Sequence, residues 1–207
     1  MKKDEYYDTW SDVKSRNGIP GDELVSMLQK SIRRGIESDA LDAAYEMYHT
    51  SLQFEEKLWR RLMVISVEDI GFGDVQAAQL VHTYAQIRLH FPYGDGDRAI
   101  FFVQAIRYLC RCTKERSSDC IKSILMTEFA AGRKPVVPDY AKDKHTRSGQ
   151  AAGMNIIDFL EDGSRVSPQL EPDVYGYEQA RQKLLEYAEN PPETQAERPF
   201  VHFPWQV

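Results

Sequence analysis

Apolar residues recur every three to four positions along most of this chain, which is the period of an amphipathic α-helix. The pattern is first clear in residues 22–35, where Leu24, Leu28 and Ile32 share one face. Glycine, proline and short polar side chains then separate further segments of the same kind. We expect these helices over residues 38–49, 54–69, 74–91, 97–112, 117–131, 155–161 and 177–189. Because no convincing strand pattern interrupts them, an all-α fold is predicted.

The helix predicted over residues 97–112 has a different pattern from the others. Its apolar residues cover nearly the whole circumference, and only Gln104, Arg107 and Arg111 form a polar seam. A helix that is apolar on most sides is buried by several neighbours. We therefore expect this helix at the centre of a helical bundle.

Two segments flank the helical region and lack its pattern. Residues 1–19 are a charged N-terminal extension with two tyrosines and a tryptophan. Residues 190–207 are a tail rich in proline and aromatic residues, which indicates an extended, apolar segment. One helical domain is predicted between them, over residues 20–189, with a loop-rich C-terminal part.

Composition narrows the class of protein. A chain of 207 residues can form one sizeable core, whereas a net charge of −6 disfavours general nucleic-acid binding, so any DNA contact must be regional. No apolar run approaches the roughly 18 residues of a membrane span, and a cytoplasmic protein is expected. The three cysteines, Cys110, Cys112 and Cys120, lie in helical pattern and are expected to be buried, reduced thiols.

Two acids end the helix predicted over residues 54–69. Glu68 and Asp69 oppose the partial negative charge of a helix C-terminus, at a cost of a few tenths to about 1 kcal/mol. Asp69 falls on the apolar face, so we expect it to be buried and paired. Lys30 and Arg34 in the first helix, or a neighbouring helix N-terminus, are the expected partners. Adjacent helical residues point about 100° apart, so a structural role is favoured over an acid/base pair.

Two motifs carry a resemblance to a known family. The first is Lys30-Ser31-Ile32-Arg33, and the second is Ser66-Val67-Glu68-Asp69-Ile70-Gly71, followed by Asp74 at the start of the next helix. In this order they resemble the C-terminal region of the replication-associated AAA+ ATPases called MgsA or RarA, relatives of Werner-helicase-interacting protein. The resemblance covers residues 24–138, and the sequence beyond them departs from the family pattern.

The resemblance implies a fold and a function. In that family the region follows the ATPase module, is akin to the collar domain of clamp loaders, and mediates tetramerisation. A non-catalytic module for oligomerisation or partner docking in DNA replication or repair is therefore implied. A homotetramer is the first expectation, and a P-loop ATPase subunit or another replication protein is the implied partner.

No ATPase activity is expected from this chain alone. The sequence has no Gly-x-x-x-x-Gly-Lys-Ser/Thr, the glycine-rich loop whose backbone and lysine hold nucleotide phosphates. We accordingly expect no enzyme activity, no cofactor and no catalytic or metal-binding residue.

The helix predicted over residues 74–91 has a polar face without charges. Its members are Gln76, Gln79, His82, Thr83, Gln86 and His90. Solvated faces normally carry lysine and glutamate, whereas the cores of interfaces are depleted of them. A subunit contact and an exposed neutral face are equally consistent with this pattern. His82 and His90 are too far apart along the helix to chelate zinc together.

Positive charge concentrates in one predicted loop, residues 133–147. Its members are Arg133, Lys134, Lys142, Lys144, His145 and Arg147. Such a loop suits phosphate, so a DNA-binding accessory protein is the main alternative function. A metal-dependent hydrolase using Asp139, Asp143 or His145 is weaker, because no second carboxylate cluster accompanies them. The third interpretation is that His145 and Arg147 hydrogen-bond the loop onto the helical body.

Overall fold

The computed structural model describes residues 9–193, and the all-α prediction is confirmed within them, where no strand forms. The α-helices are α1 (Gly21–Arg34), α2 (Glu37–Thr50), α3 (Leu52–Ile65), α4 (Ala77–Ile87), α5 (Arg98–Arg111), α6 (Ser117–Ala130), α7 (Arg147–Ala151), α8 (Ile156–Asp158) and α9 (Tyr177–Glu189). In this same range no helix has both the length and the apolar character needed to cross a membrane.

The chain divides into two compact units, one ending at Arg133 and the other beginning at Lys134. The single helical domain expected over residues 20–189 is therefore divided, at the glycine- and proline-containing segment that follows α6. Tyr6 and Tyr7 of the extension, and most of the tail expected over residues 190–207, lie outside the described residues.

The core of the first unit is formed by α1 to α5. Helix α5 packs against the other four, which confirms its predicted central position. Its inner face carries Phe102, Ile106 and Leu109, all fully buried, whereas Ile100 is 62% exposed. Helix α5 is thus central but not covered on every side.

The extension before α1 is fixed to the first unit. Gly21 N donates to the Val13 carbonyl oxygen at 2.8 Å, and this bond sets the start of α1. A Cβ atom on Gly21 would lie only 2.8 Å from the Trp10 ring, so glycine is required by close packing. The helix therefore begins at Gly21, directly after Pro20, and no side chain caps it.

The second unit contains short helices and very little core. Asn155 caps α8 through a capping box with Asp158, and Leu160 in the following turn is buried. Arg181 of α9 donates to the Leu160 carbonyl oxygen at 3.0 Å. Helix α9 spans the residues expected for the last helix.

Candidate docking site

Helix α6 of the first unit carries five large apolar side chains, yet none of its residues is buried. Its exposed apolar side chains are Ile121 (55%), Ile124 (55%), Leu125 (40%), Met126 (65%) and Phe129 (50%). Isolated helices of fewer than about 12–15 residues are marginal in water, and most helices are stabilised by packing of an apolar face. With 14 residues, α6 is at this limit. Its exposed apolar surface is the strongest sign of a contact surface in this unit.

The apolar surface of α6 is broad. At 100° per residue, the side chains from Ile124 to Met126, with Ile121, Leu125 and Phe129 between them, span an arc of about 200°. A helix that packs against a single neighbour has an apolar stripe about 100° wide. The pattern of α6 is therefore typical of a helix that is covered from more than one side.

The acid pair lies in a π-helical turn, Ser66–Ile70, that continues α3. Asp69 is fully buried, as its position on the apolar face predicted. Its Oδ1 accepts from Arg33 Nε at 2.5 Å, and its Oδ2 accepts from Gln29 Nε2 at 3.0 Å. Arg116 Nε also lies 3.1 Å from Oδ1, an ion pair without hydrogen-bond alignment.

The expected partners of Asp69, Lys30 and Arg34, are wrong. Arg34 turns back along α1 and donates to the Lys30 carbonyl oxygen at 3.0 Å. Arg33 lies one residue earlier, on the side of α1 that faces the π turn. A shift of one residue moves a helical side chain by 100°, and this decides which cation reaches the carboxylate.

Glu68 extends the ionic network toward α6. Its Oε1 lies 3.3 Å from Arg33 Nη2 and 3.4 Å from Arg116 Nη2. Arg116 Nη2 also lies 2.6 Å from Asp119 in the first turn of α6. The two acids thus connect α1 with the residue that precedes α6. They converge on Arg33 and Arg116, whereas their positions on a regular α-helix predicted directions about 100° apart.

Close backbone packing supports the same connection. The Asp69 carbonyl oxygen accepts from Glu115 N at 3.1 Å. Gly71 has φ of +50°, and a Cβ atom there would lie 2.8 Å from the Glu115 carbonyl oxygen. Glu68, Asp69 and Gly71 therefore link α1 to Glu115 and Arg116, the two residues that precede α6.

Asp74 stabilises the turn that precedes α4 and does not cap the first turn of α4. Its Oδ1 accepts from Gln76 N at 3.0 Å, and its Oδ2 accepts from Tyr108 OH of α5 at 2.5 Å. The Tyr108 hydroxyl and the Gln76 amide favour the carboxylate and lower the pKa of Asp74 below its ordinary value of 3.8. The same bond to Asp74 raises the pKa of Tyr108.

We expect Tyr108→Phe to reduce the dependence of stability on acid pH. A carboxyl whose pKa is lowered by folding stabilises the folded state above its unfolded pKa, and this contribution is lost as pH falls through the folded pKa. Urea unfolding of both proteins at pH values on either side of 3.8 measures the effect. The variant should lose less stability on acidification than the parent; equal losses would contradict the assignment.

The uncharged face of α4 is exposed in the structure. Gln76, Gln79 and Thr83 line a shallow depression of about 330 Å³, together with Leu80 and Tyr84. His82, Gln86 and His90 are exposed as well. The side chains of this face are therefore exposed, and its role as a subunit contact stays a prediction.

Acids neutralise part of the basic loop expected to bind phosphate. Arg133 pairs with Glu128 in the first unit. In the second unit, Lys142 Nζ lies 2.8 Å from Asp139. Lys134 and Arg147 are exposed. Lys144 Nζ lies 5.9 Å from the centre of the Phe159 ring.

The loop residues considered for a metal do not form a ligand cluster. His145 Nδ1 lies 3.0 Å from Asp143 Oδ2, and the hydrogen bonds from His145 lower the pKa of Asp143. Asp139 is engaged by Lys142 instead. Within residues 9–193 no group of three or more histidine, cysteine or acidic side chains is placed to hold a metal ion.

The cysteines are free thiols in different environments. Cys110 is buried, and burial raises the pKa of its thiol to about 11. Cys112 is partly buried, whereas Cys120 on α6 is exposed. The expectation that all three are buried was therefore wrong for Cys120, because the helix that carries it is itself uncovered.

Sequence reasoning missed α6 as the exposed element. The signal was present, because the apolar residues of α6 occupy more than half of its circumference while those of α1 occupy one stripe. It also missed Gln29 and Arg116, whose contacts with the acid pair depend on how helices distant in sequence pack together.

Comparisons with known proteins agree with the resemblance carried by the motifs. A family model described as the C-terminal region of the MgsA AAA+ ATPase matches residues 42–162, more than half of the chain. The match extends beyond Pro138, so the expectation that the family pattern ends there is wrong. Over 140 residues the chain is 30% identical to "Replication-associated recombination protein A" of Bacillus subtilis (strain 168). The alignment covers 65% of this chain and 31% of the relative, so the chain spans about a third of that protein's length.

Proposed function

Because this chain belongs to the family of the MgsA AAA+ ATPase C-terminal region, we propose that it is a non-catalytic docking module that associates with copies of itself through α6. The observation that carries this proposal is the exposure of every apolar side chain of a 14-residue helix. Burying these side chains between copies would supply the packing that α6 lacks within its own unit.

A tetramer is the assembly that we propose first. Closed homo-oligomers use self-complementary surfaces, and a tetramer with two kinds of contact covers each subunit from two sides. The arc of about 200° on α6 is wide enough for two such contacts, at about 100° each. The exposed neutral face of α4 is a candidate for a further subunit contact.

The proposed context is replication-associated recombination. This context is supported by the name of the Bacillus subtilis relative. The 207 residues of this chain contain no P-loop motif, so a nucleotide-hydrolysing module would be supplied by a different segment or polypeptide. In this proposal the α6 assembly holds such modules together, and catalysis takes place elsewhere.

Changing Ile124→Glu together with Phe129→Glu should convert the oligomer to a monomer. Both side chains are half exposed, so glutamate at these positions remains solvated in the free chain and becomes costly only in a contact between copies. Light scattering coupled to size-exclusion chromatography measures the mass.

The control is Ile100→Glu, a single change of the same kind on α5, at a side chain that is 62% exposed. This variant should keep the parent's mass, and circular dichroism should show equal helix content in all three proteins. A double variant that retains the full mass would show that α6 is not the contact.

Binding of DNA through residues 133–147 remains the alternative. It receives less support from the structure, because Arg133 and Lys142 are paired with acids. Phosphate contacts require cations that are available to replace counterions, and these pairs compete with phosphate.

A further inference from the structure

A cleft of about 460 Å³ lies in the first unit along the outer side of α3. Its lining residues are Trp10, Leu52, Gln53, Glu56, Lys57, Arg60, Arg61 and Val64. They lie at the spacing of successive turns of α3, except for Trp10, which comes from the N-terminal extension. The cleft is separate from α6, whose residues do not line it.

Three cations stand in this cleft without an acidic partner. No ion pair joins Lys57, Arg60 or Arg61 to an acid within residues 9–193, and Arg61 reaches only the amide oxygen of Gln29, at 3.3 Å. Glu56, the one acid in the lining, is held by Arg88 Nη2 at 2.7 Å. In a chain whose net charge is −6, this local excess of positive charge is unusual.

The two ends of the cleft, on either side of these cations along α3, are apolar. Leu52 and Val64 are each 44% exposed. The Trp10 ring packs edge-on against Phe54, with ring centres 5.0 Å apart, and is thereby fixed in place. Apolar walls with a few charged groups between them are typical of a site that binds a small molecule or a peptide side chain.

We propose that this cleft binds an acidic peptide segment of a partner protein, with carboxylates at Lys57 and Arg60 and apolar side chains on either side of them, one against Leu52 and one against Val64. The positive charge matches the acids of such a segment, and the apolar ends of the cleft match its apolar residues. This site adds a second surface to the proposed docking module, because no residue of α6 lines the cleft.

A single-stranded nucleic acid fits the cleft less well. Sequence-tolerant binding of single strands relies on bases stacked on aromatic rings. Lys57 Nζ lies over the Trp10 ring, 4.8 Å from its centre, so a base would have to displace this cation to stack there. The other wall residues, Leu52 and Val64, are aliphatic and suit a peptide side chain.

Fluorescence anisotropy on the full chain tests this proposal. The probe is a fluorescein-labelled peptide of sequence Glu-Asp-Leu-Glu-Asp-Phe, and its affinity should fall as salt is added. Replacing its leucine and phenylalanine by alanine, or its acids by the corresponding amides, should weaken binding by about tenfold or more, a change of about 1.4 kcal/mol. No detectable binding of the parent peptide would overturn the proposal.

The protein variant Lys57→Glu with Arg60→Glu should weaken peptide binding by a similar factor. Its matched control is Lys30→Glu with Lys134→Glu, which changes the net charge equally at two exposed lysines outside the cleft lining. Equal losses of peptide affinity in the two variants would show that only the net charge of the protein matters, and this result would overturn the proposed site. If labelled oligo(dT) binds the parent protein more tightly than the peptide does, and only the cleft variant loses this binding, the ligand of the cleft is a nucleic acid and the peptide proposal is overturned.

The same titration on the Ile124→Glu, Phe129→Glu variant separates this proposal from the proposed function. Peptide binding should be retained in that variant, because α6 contributes no residue to the cleft. Loss of peptide binding together with the oligomer would contradict an independent site.

Discussion

Glu55→Ala is expected to destabilise the first unit by about 3–5 kcal/mol, the cost of leaving a buried charge without its partner. Glu55 is fully buried on α3, and its carboxylate is the common acceptor of two arginines, Arg88 and Arg98. These side chains are only 4% and 5% exposed, so water cannot replace the lost carboxylate. Since small domains are stable by about 5–15 kcal/mol, this one change should bring the unit close to unfolding.

The geometry explains why a charged cluster is retained in the core. Arg88 Nη1 and Arg98 Nε each lie 3.0 Å from Glu55 Oε1. Arg98 also donates to the carbonyl oxygens of Arg88 and Phe91, in the turn between α4 and α5. The cluster therefore holds the turn between α4 and α5 against α3.

Glu56→Ala is the matched control. Glu56 also binds Arg88, but its side chain is 44% exposed, and exposed ion pairs contribute about 0–1 kcal/mol. Urea unfolding followed by circular dichroism measures both variants. Equal destabilisation by the two changes would contradict the assigned difference in burial.

Asp69→Ala is expected to have the second largest effect, a loss of about 2–3 kcal/mol. Breaking a fully buried pair costs about 3–5 kcal/mol, but the cations left behind here, Arg33 and Arg116, are 27% and 37% exposed and recover part of their hydration. The change also removes the ionic contact that connects the π turn to the residue before α6. We therefore expect weaker self-association as well as lower stability.

Urea unfolding and light scattering on the same samples measure these two effects. Lys30→Ala is the control, because the sequence favoured Lys30 as a partner and the structure leaves it exposed. Lys30→Ala should change stability by less than about 0.5 kcal/mol. An equally small change for Asp69→Ala would exclude the buried ion pair.

The sequence predicted the helices well because their signals are local. Helix α9 begins at Tyr177 as expected, and the apolar circumference of α5 correctly placed it among several neighbours. The burial of Asp69 also followed from its position relative to its own helix. Each of these inferences needs only the residues of one segment and the helical period.

Features that depend on packing between segments were beyond the sequence. Arg33 rather than Lys30 reaches Asp69, which depends on the rotation of α1 against α3. The π turn at Ser66–Ile70 changes which way the acids point and has no periodic signal of its own. The sequence of a single helix predicts neither the exposure of α6 nor the cleft along α3. Both depend on how the other segments of the chain pack around these helices.

The mass of the unmodified chain in solution tests the central claim most directly. Light scattering at increasing protein concentration should give a defined multiple of 23.9 kDa, with four copies expected first, in the absence of DNA and nucleotide. A mass of 23.9 kDa at every concentration would contradict self-association through α6.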